Sequence, residues 1–459
     1  MKDFIFSDFL SLHFIGIGGV SMSALAKYCL NNGVIVTGSD RVRSEFSRDA
    51  EAAGVTVYYE HSENNLSGAL AVVYTSAISE DNVELVEAKR RGIPVIKRSE
   101  LLGAILNKHE KSVAVSGCHG KTTTTAMLTE IFVKAKKDPT AFIGGNYPPF
   151  GNFRQGDGRY AIAEACEYRK NFLDLTPSVA VVLNIDDDHK DSFRGLRDET
   201  EAFSHFISGS LAVINADDKY AEKLFNACTV TFGIESRANF TAKRITENCG
   251  AYSFDFYAYG RKKGRVKLKI RGRHNVYNAL AALAVSDISG IPFSASKSAL
   301  EAFAGVKRRN ERIGTFCGRE CIADYAHHPT EIVALLNSYR EEKPVVVFQP
   351  HTYSRTKYLL SEFVSALTRA EKVVIYKTYP AREKFDEDGS AERLYRELKA
   401  KEREKVDFNA YYASSPEKLK EVLSATDVLG TEENKGKILF VGAGDIYEIA
   451  LNLTEKVKG

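Results

Sequence analysis

Short apolar runs alternate with longer amphipathic stretches along almost the whole chain. The runs are rich in Val, Ile and Leu, as buried strands are, and the stretches between them have the spacing of amphipathic helices. The clearest runs are residues 12–15, 34–37, 113–115, 160–165, 179–183, 345–348, 373–376 and 438–441. Because strands that alternate with helices form parallel sheets with crossover connections, the pattern predicts an α/β fold.

The apolar runs fall into three groups, which predict three domains. The chain has 459 residues, more than one hydrophobic core usually organises. The second group begins at Val113 and the third at Cys321. We place the domains at residues 1–106, 107–313 and 314–459. Between residues 237 and 271 the alternation is hairpin-like, so we expect an antiparallel insertion in the second domain.

Composition narrows the class of protein. Hydrophobic residues make up 44% of the chain and charged residues 27%, so it can bury substantial cores. The net charge of +3 lacks the basic excess of a dedicated nucleic-acid binder. No apolar run reaches the ~20 residues of a membrane helix, and residues 1–12 lack the order of a signal peptide. We therefore expect a cytoplasmic protein that neither binds nucleic acid nor inserts into a membrane.

The seven cysteines predict reduced thiols. Their number is odd, their spacing is wide, and no Cys-x-x-Cys pair occurs. A disulfide framework or a structural zinc site is therefore disfavoured.

A glycine-rich loop follows the strand-like residues 113–116 and precedes the helical pattern 123–134. Its sequence is Gly117-Cys118-His119-Gly120-Lys121-Thr122. Glycines let backbone N–H groups wrap a phosphate, and the helix N-terminus adds a positive dipole. We expect Lys121 to reach the β- and γ-phosphates and the Thr122 hydroxyl to bind Mg²⁺. Val115 stands where the strict phosphate-loop motif begins with glycine, but the strand before and helix after favour nucleotide binding over a mere turn.

Two further candidates follow neighbouring strand-like runs. Glu164 ends the run at 160–163, and His189 lies shortly after the run at 179–183. Ligands of open α/β sheets bind at the carboxyl ends of strands, so a carboxylate and an imidazole there could hold a second cation near the γ-phosphate. The acidic run 186–188 by itself is better explained as a turn.

A second glycine loop, Gly16-Ile17-Gly18-Gly19, follows the first apolar run. Asp40 closes the next strand-like run, and Ser21 stands at the third glycine position. The spacing fits a pyrophosphate site but does not distinguish a dinucleotide from a UDP-sugar.

Taken together, the motifs resemble those of the Mur ligase superfamily over nearly the whole chain. The matching segments are residues 13–19, 120–124, 164–169, 184–185, 188–189, 274–279, 305–309, 324–330, 349–351, 354–356, 379–383 and 441–446. The runs Asp-Tyr-Ala-His-His-Pro-Thr at 324–330 and Gln-Pro-His at 349–351 resemble the branch that acts on UDP-N-acetylmuramate and L-alanine.

The resemblance implies a fold and a reaction. It implies a Rossmann-like first domain for the UDP end of the substrate, a P-loop-type central domain for ATP, and a Rossmann-like third domain for the amino acid. The implied reaction uses ATP and Mg²⁺ to phosphorylate the lactyl carboxylate of UDP-N-acetylmuramate, after which L-alanine displaces phosphate, in peptidoglycan precursor synthesis. We expect this chain to form a monomer or a homodimer.

The resemblance also implies roles for particular residues. Those implied at ATP are the loop residues 117–122 and Thr123, together with Asn275, Asn278, Arg309 and Asp324. Those implied at the UDP-substrate are Gly16, Gly18, Gly19, Ser39, Asp40 and Ser76. Those implied in catalysis are Lys121, Glu164, His189, His328 and Arg355, of which Glu164 and His189 join Thr122 as metal ligands.

The sequence departs from the family pattern at Ser21, Cys118, Asn310 and Thr352. These departures keep open a ligase for another amino donor, and a catalytically silent nucleotide-binding module is a further alternative. Cys118 lies near a helix N-terminus and Lys121, both of which favour a thiolate, so we expect a reactive thiol; an inert small residue is the alternative reading.

Overall fold

The computed structural model describes residues 9–186, 193–405, 407–429 and 436–455. Within these ranges the strands form three sheets, and the chain divides into two compact units. The first unit holds most of the residues up to Phe303. The second holds Glu247–Tyr252, Ile270–His274 and the chain from Ala304 onward.

The first sheet is parallel and carries helices between its strands. Its elements are β1 (Ser11–Ile15), α1 (Val20–Asn31), β2 (Ile35–Ser39), α2 (Glu45–Ala53), β3 (Thr56–Tyr58), β4 (Ala71–Tyr74), α3 (Val83–Arg90), β5 (Val95–Lys97) and α4 (Arg98–Lys108). The strand order is β3-β2-β1-β4-β5, so the order reverses between β1 and β4. Such a reversal leaves a crevice at the carboxyl ends of the two strands, where the loops after residues 15 and 74 begin.

The second sheet has ten strands. Its elements and the helices around it are β6 (Lys111–Ser116), α5 (Lys121–Lys134), β7 (Thr140–Tyr147), β8 (Gly151–Arg154), β9 (Tyr160–Glu164), β10 (Val179–Val182), α6 (Leu196–Phe206), β11 (Leu211–Asn215), β12 (Thr229–Gly233), β13 (Phe240–Asn248), β14 (Ala251–Ala258), β15 (Arg261–Arg271), α7 (His274–Ile288) and α8 (Phe293–Ala302). The order is β15-β14-β13-β12-β11-β10-β6-β9-β7-β8, with β10, β6 and β9 parallel at its centre.

The predicted antiparallel insertion is present as β13, β14 and β15. Two-residue turns join these neighbouring strands, and both residues of each turn have positive φ: Cys249 and Gly250 in one, Tyr259 and Gly260 in the other. Turns of this kind match the twist of antiparallel strands and close tight hairpins.

The third sheet has six strands. Its elements are β16 (Glu311–Phe316), β17 (Arg319–Asp324), α9 (Pro329–Asn337), β18 (Val345–Phe348), α10 (Tyr353–Tyr358), α11 (Leu360–Leu367), β19 (Lys372–Tyr376), α12 (Ala391–Lys401), β20 (Asn409–Ala413), α13 (Pro416–Ser424), α14 (Thr426–Leu429), β21 (Ile438–Val441) and α15 (Ile446–Leu453). The order is β16-β17-β21-β18-β19-β20, parallel except for the β16–β17 pair. The strand β18, Val-Val-Val-Phe, is buried throughout, as a central parallel strand must be.

Within the first unit, the elements of the first two sheets lie directly against each other. Asn152 of β8 is completely buried; its amide donates to the carbonyl of Val20 at 2.6 Å and accepts from Nζ of Lys27 at 2.6 Å. On α4, a side chain at Gly103 would collide with the carbonyl of Asp174. Helix α1 is therefore hydrogen-bonded to β8 of the second sheet, and α4 packs against the segment that follows β9.

The predicted fold class is confirmed: the chain is an α/β protein with three domains, Rossmann-like at both ends and of the P-loop type in the centre. The boundaries at residues 106/107 and 313/314 remain predictions. Among the residues that the structure describes, no helix is long and apolar enough to cross a membrane.

Candidate active site

The phosphate loop joins β6 to α5 and depends on two glycines. Gly117 has φ +127° and Gly120 has φ +86°, which other residues rarely adopt. A Cβ at Gly117 would lie 3.0 Å from the backbone of Asn184, and one at Gly120 would collide with Oδ1 of Asn278. Because α5 begins directly after Gly120, its first amides face the concave side of the loop and suit an anion.

Asn184 fixes the loop from the neighbouring strand. Its Oδ1 accepts from the backbone N–H of His119 at 2.8 Å, and its Nδ2 donates to the carbonyl of the same residue at 3.0 Å. Asn184 follows β10, which pairs directly with β6. The loop backbone is thereby held in one conformation without the help of a ligand.

Lys121 is held by the loop and by a carboxylate. Its Nζ donates to the carbonyl of Gly117 at 2.5 Å and to that of Cys118 at 3.2 Å, and it lies 2.7 Å from Oε1 of Glu167. Burial disfavours the ammonium, but the charge of Glu167 outweighs it and the pKa of Lys121 is raised. The loop therefore carries a full positive charge at neutral pH.

Glu164 lies beside the start of the loop, since β9 pairs with β6 and sets Glu164 opposite Val115. Its Oε1 accepts from the backbone N–H of Gly144 at 2.7 Å, and a side chain at Gly144 would collide with the carboxylate. Thr122 lies in the first turn of α5. A carboxylate and a hydroxyl are ligands that Mg²⁺ prefers, so this donor set fits a hard cation. His189, the third predicted ligand, lies outside the described residues.

Two of the residues predicted at ATP lie at the start of α7. Asn275 and Asn278 are almost completely buried, and Nδ2 of Asn278 donates to Oδ1 of Asn275 at 2.9 Å. Because Oδ1 of Asn278 faces Gly120, the structure brings this residue to the phosphate loop itself.

The first glycine loop follows β1 and is held by the end of β2. The amides of Gly16 and Ile17 donate to the carbonyl of Ser39 at 2.8 and 3.0 Å, and the amide of Gly18 donates to Oδ2 of Asp40 at 2.9 Å. Gly19 precedes α1 as its N-cap, so the loop leads into a helix N-terminus. A glycine loop that leads into a helix N-terminus suits a pyrophosphate.

The Ser39 side chain is placed differently from the sequence prediction. No part of Ser39 is exposed, and its hydroxyl donates to Oε2 of Glu84 in the domain interior. Ser39 contacts the glycine loop through its carbonyl. The geometry does not support a contact of its hydroxyl with the UDP-substrate.

Ser76 and Ser21 both receive hydrogen bonds at the crevice. The Ser76 hydroxyl accepts from Nδ2 of Asn171 at 3.2 Å, and the Ser76 carbonyl accepts from Nη1 of Arg169 at 2.8 Å. The Ser21 hydroxyl accepts from Nη1 of Arg98 at 3.0 Å. The departure at Ser21 thus gives a cationic side chain a fixed position beside the glycine loop.

The second unit carries the remaining predicted residues. Asp324 ends β17; its carboxylate accepts from the amides of Asn310 at 2.7 Å and Ala326 at 2.8 Å. Arg309 lies over the ring of Tyr325, 4.8 Å from its centroid. Burial raises the pKa of Asp324 to about 6, although Arg309 opposes the shift.

His328 and Arg355 lie near helix starts of the same unit. His328 is the N-cap of α9, where its Nδ1 accepts from the amide of Thr330 at 3.4 Å and its own amide donates to Glu331 at 3.3 Å. Arg355 lies on α10, and this helix begins directly after Thr352, whose φ is +67°. The His328 ring therefore serves a structural role as a helix cap, whatever else it contacts.

Comparison with known proteins gives the same three parts in the same order. The model described as Mur ligase family, catalytic domain, matches residues 11–110; the Mur ligase middle domain matches 115–286; the Mur ligase, glutamate ligase domain, matches 308–444. A UDP-N-acetylmuramate–L-alanine ligase of Caldanaerobacter subterraneus is 40% identical over 462 aligned residues, which cover 98% of both chains. The chain belongs to the Mur ligase family.

Other relatives are similar to this Mur ligase in sequence or structure over most of its length. A UDP-N-acetylmuramate–L-alanine ligase of Aquifex aeolicus is 41% identical over 95% of both chains. The crystal structure of a UDP-N-acetylmuramate-alanine ligase from Thermotoga maritima has a TM-score of 0.83 and 31% identity, with 96% of this chain and 98% of that chain covered. A murein peptide ligase from Psychrobacter arcticus, at 22% identity and a TM-score of 0.71, shares the fold.

Three residues that contact the site of this Mur ligase were not among the sequence candidates. Glu167 pairs with Lys121, Asn184 holds the loop, and Arg98 reaches Ser21. Two signals could have found them: their polar side chains follow strands or begin a helix at the sheet edge where the loops meet, and Glu167 and Asn184 lie in segments that resemble the family.

The expected thiolate at Cys118 is wrong. Cys118 is 8% exposed, and its Sγ donates to the carbonyl of Asp186 at 3.3 Å. Burial raises the pKa of the thiol well above its ordinary value, and the carboxylates of Glu167 and Glu199 add to the shift. The alternative reading, a small buried residue without special reactivity, agrees with the structure.

We therefore expect a thiol-directed alkylating agent to modify Cys118 slowly in the native Mur ligase. Cys228, Cys249 and Cys317 are exposed and serve as internal references. Their labelling should be faster by about tenfold or more, because only the thiolate of an accessible cysteine reacts. Mass spectrometry of peptides after timed labelling measures the rates, and modification of Cys118 as fast as Cys228 would contradict the prediction.

The raised pKa of Asp324 predicts a pH dependence of stability. An acid whose folded pKa is raised to about 6 favours folding below its unfolded pKa and loses that contribution as pH rises. Relative to Asp324→Asn, the wild type should therefore lose unfolding free energy between about pH 4 and pH 7.

Asp255→Asn is the control of opposite sign. Hydrogen bonds from Lys262 and its basic neighbours lower the pKa of Asp255 to about 2, so its contribution is present at neutral pH and lost in acid. Denaturant titrations from about pH 2 to pH 7 measure both trends, and parallel wild-type and Asp324→Asn curves between about pH 4 and pH 7 would refute the first.

Proposed function

We propose that this Mur ligase joins L-alanine to the lactyl carboxylate of UDP-N-acetylmuramate at the expense of ATP. The observation that carries the proposal is the 40% identity over 98% of the chain to an enzyme of that name. The two nucleotide-type loops support it, since one suits a triphosphate and the other a pyrophosphate. The proposed setting is the cytoplasm, where ATP and UDP-sugars are found, in the synthesis of peptidoglycan precursors.

The reaction must activate a carboxylate, which is a poor electrophile. A carboxylate oxygen attacks the γ-phosphorus of ATP, and the bond from that phosphorus to the bridging oxygen breaks, releasing ADP. The amine nitrogen of L-alanine then attacks the acyl carbon and displaces phosphate, and the amine loses a proton. An amide, ADP, phosphate and one proton result.

The phosphate loop supplies the positioning that this chemistry needs. The amides between Gly117 and Thr122 and the ammonium of Lys121 suit the β- and γ-phosphates, where charge shifts during transfer. Glu167 keeps Lys121 protonated while the site is buried. We infer that the ion pair between Glu167 and Lys121 holds the ammonium in position before the triphosphate binds.

Thr122 and Glu164 would hold Mg²⁺, together with His189 as the resemblance implies. Such an ion neutralises phosphate oxygens and fixes their geometry. The amide of Gly144 donates to Oε1 of Glu164 and so orients the carboxylate at the start of the loop. The adenine of ATP is assigned to Asn275 and Asn278, and Arg309 and Asp324 to its phosphates and ribose.

The UDP-substrate is assigned to the first domain. Gly16, Gly18 and Gly19 would bind the diphosphate, with Asp40 and Ser76 beside it. For the amino acid we assign Arg355, whose guanidinium suits a carboxylate in bidentate fashion, and His328 near the reacting groups.

Phosphate release from Mg-ATP tests the proposal. Release should require both UDP-N-acetylmuramate and L-alanine, and mass spectrometry should find the two joined. A different preferred amine, found by scanning single amino acids and short peptides, would instead make this chain a ligase for another donor. ATP binding without release for any amine would refute catalysis.

A further inference from the structure

Glu84 is a completely buried carboxylate beneath the UDP-substrate loop. It lies in the first turn of α3 and has no exposed surface. A buried charge is costly unless several donors satisfy it. Three side chains meet that need at Glu84: the hydroxyl of Ser39 at 2.5 Å, Nδ1 of His61 at 2.8 Å and Nδ2 of Asn65 at 2.7 Å. Nε2 of His13 also lies 3.4 Å from Oε1 of Glu84 without forming a hydrogen bond.

These donors make Glu84 a stable anion. Burial by itself disfavours the charge, but the hydrogen bonds outweigh it and hold the pKa of Glu84 far below its ordinary range. The donors come from the end of β2 and from the segment after β3, and the nearby His13 ring comes from β1. One carboxylate therefore ties together three parts of the first domain.

Ser39 connects this anion to the glycine loop. Its side chain donates to Glu84, while its carbonyl accepts from the amides of Gly16 and Ile17 at 2.8 and 3.0 Å. The next residue, Asp40, accepts from the amide of Gly18. A shift at Ser39 would thus move the backbone of the glycine loop, which leads into the N-terminus of α1.

His61 extends the connection toward the surface. Its Nδ1 bonds Glu84 and also lies 3.0 Å from the Ser39 hydroxyl, while about a tenth of its side chain remains exposed, 9%. Glu84 therefore fixes both the buried Ser39 and a ring that reaches the domain surface.

We propose that Glu84 is a positioning residue for the UDP-substrate, acting through Ser39 and His61 on the first glycine loop. The proposal rests on the assignment of the UDP-substrate to the first domain. Glu84 would not touch the substrate; its effect would be on the position of the loop backbone and of the N-terminus of α1 that follows it. A merely structural network would affect stability and both nucleotides alike, whereas a positioning role affects UDP binding selectively.

Glu84→Gln keeps the size of the side chain but turns one acceptor into an amide that faces donors. We expect affinity for UDP itself, measured by isothermal titration calorimetry, to fall by about tenfold, and KM for UDP-N-acetylmuramate to rise by a similar factor. The kcat at saturation and KM for ATP should stay within about twofold. Glu87→Gln, the same substitution one turn later on α3, is the matched control, because Glu87 pairs with Arg90 and Arg91 instead.

Ser39→Ala provides a second variant that leaves the carbonyl and the charge of Glu84 in place. Because the Ser39 side chain is completely buried, a loss of UDP affinity in this variant must act through the loop. We expect a smaller loss in the same direction, about threefold.

Calorimetry with UDP decides the proposal whether or not turnover occurs, so failure of the proposed function is read separately, from phosphate release by the wild type. Wild-type UDP affinity in Glu84→Gln would overturn the positioning role, as would equal losses for UDP and ATP. Absence of UDP binding by the wild type would overturn it as well.

Discussion

Replacing Lys121 by Met is expected to lower kcat for phosphate release by about a thousandfold. The ammonium lies in the phosphate loop, bonded to the carbonyls of Gly117 and Cys118, and Glu167 keeps it protonated. Its charge is the one that the transferring phosphoryl group would meet, and no neutral side chain can replace it. Initial rates at saturating ATP, UDP-N-acetylmuramate and L-alanine measure the effect.

Lys134→Met, at the exposed last turn of the same helix, is the matched control and should retain wild-type rates. Thermal unfolding of both variants separates loss of charge from loss of fold. A folded Lys121→Met enzyme within about tenfold of the wild-type kcat would show that transition-state charge is stabilised elsewhere.

Gly120→Ala is expected to weaken ATP binding by about a hundredfold. The residue has φ +86°, and its Cβ would collide with Oδ1 of Asn278. Alanine would therefore either displace the buried Asn278 side chain, which is hydrogen-bonded to Asn275, or strain the loop where α5 begins, and both changes disturb the phosphate loop. Equilibrium binding of a fluorescent ATP analogue measures the affinity directly.

Gly33→Ala separates the two causes. Gly33 has a similar φ, +82°, but nothing within 4 Å of its would-be Cβ. This control should lose about 1 kcal/mol of stability through backbone strain and keep its ATP affinity. Equal ATP affinity in Gly120→Ala and Gly33→Ala would mean that the contact with Asn278 does not shape the loop.

The fold was predictable because the alternation of short apolar runs and amphipathic stretches has few structural solutions. Parallel strands such as β18 are buried on both faces and read as unbroken apolar runs. Loop positions followed from the same pattern, since a glycine-rich segment between a strand and a helix must lie at a sheet edge.

The partners of the site residues were not predictable, because they come from distant parts of the chain. Glu167 reaches Lys121 across 46 positions, and Cys118 meets Asp186 across 68. The error at Cys118 has this origin: helix position and a nearby lysine are visible in the sequence, whereas burial is not. The orientation of Ser39 likewise depends on which face of β2 meets α3.

The fully buried Asn152 has a consequence for work with fragments of this enzyme. Its amide donates to the carbonyl of Val20 on α1, and the backbone of Asp174 packs directly against Gly103 on α4. A truncated protein ending at residue 106 would present that surface to water, without the hydrogen bonds from Asn152 and without the backbone that packs against Gly103. Ligand screens on such a fragment would select compounds for a patch that the intact chain hides, so screening campaigns against the UDP crevice need both domains together.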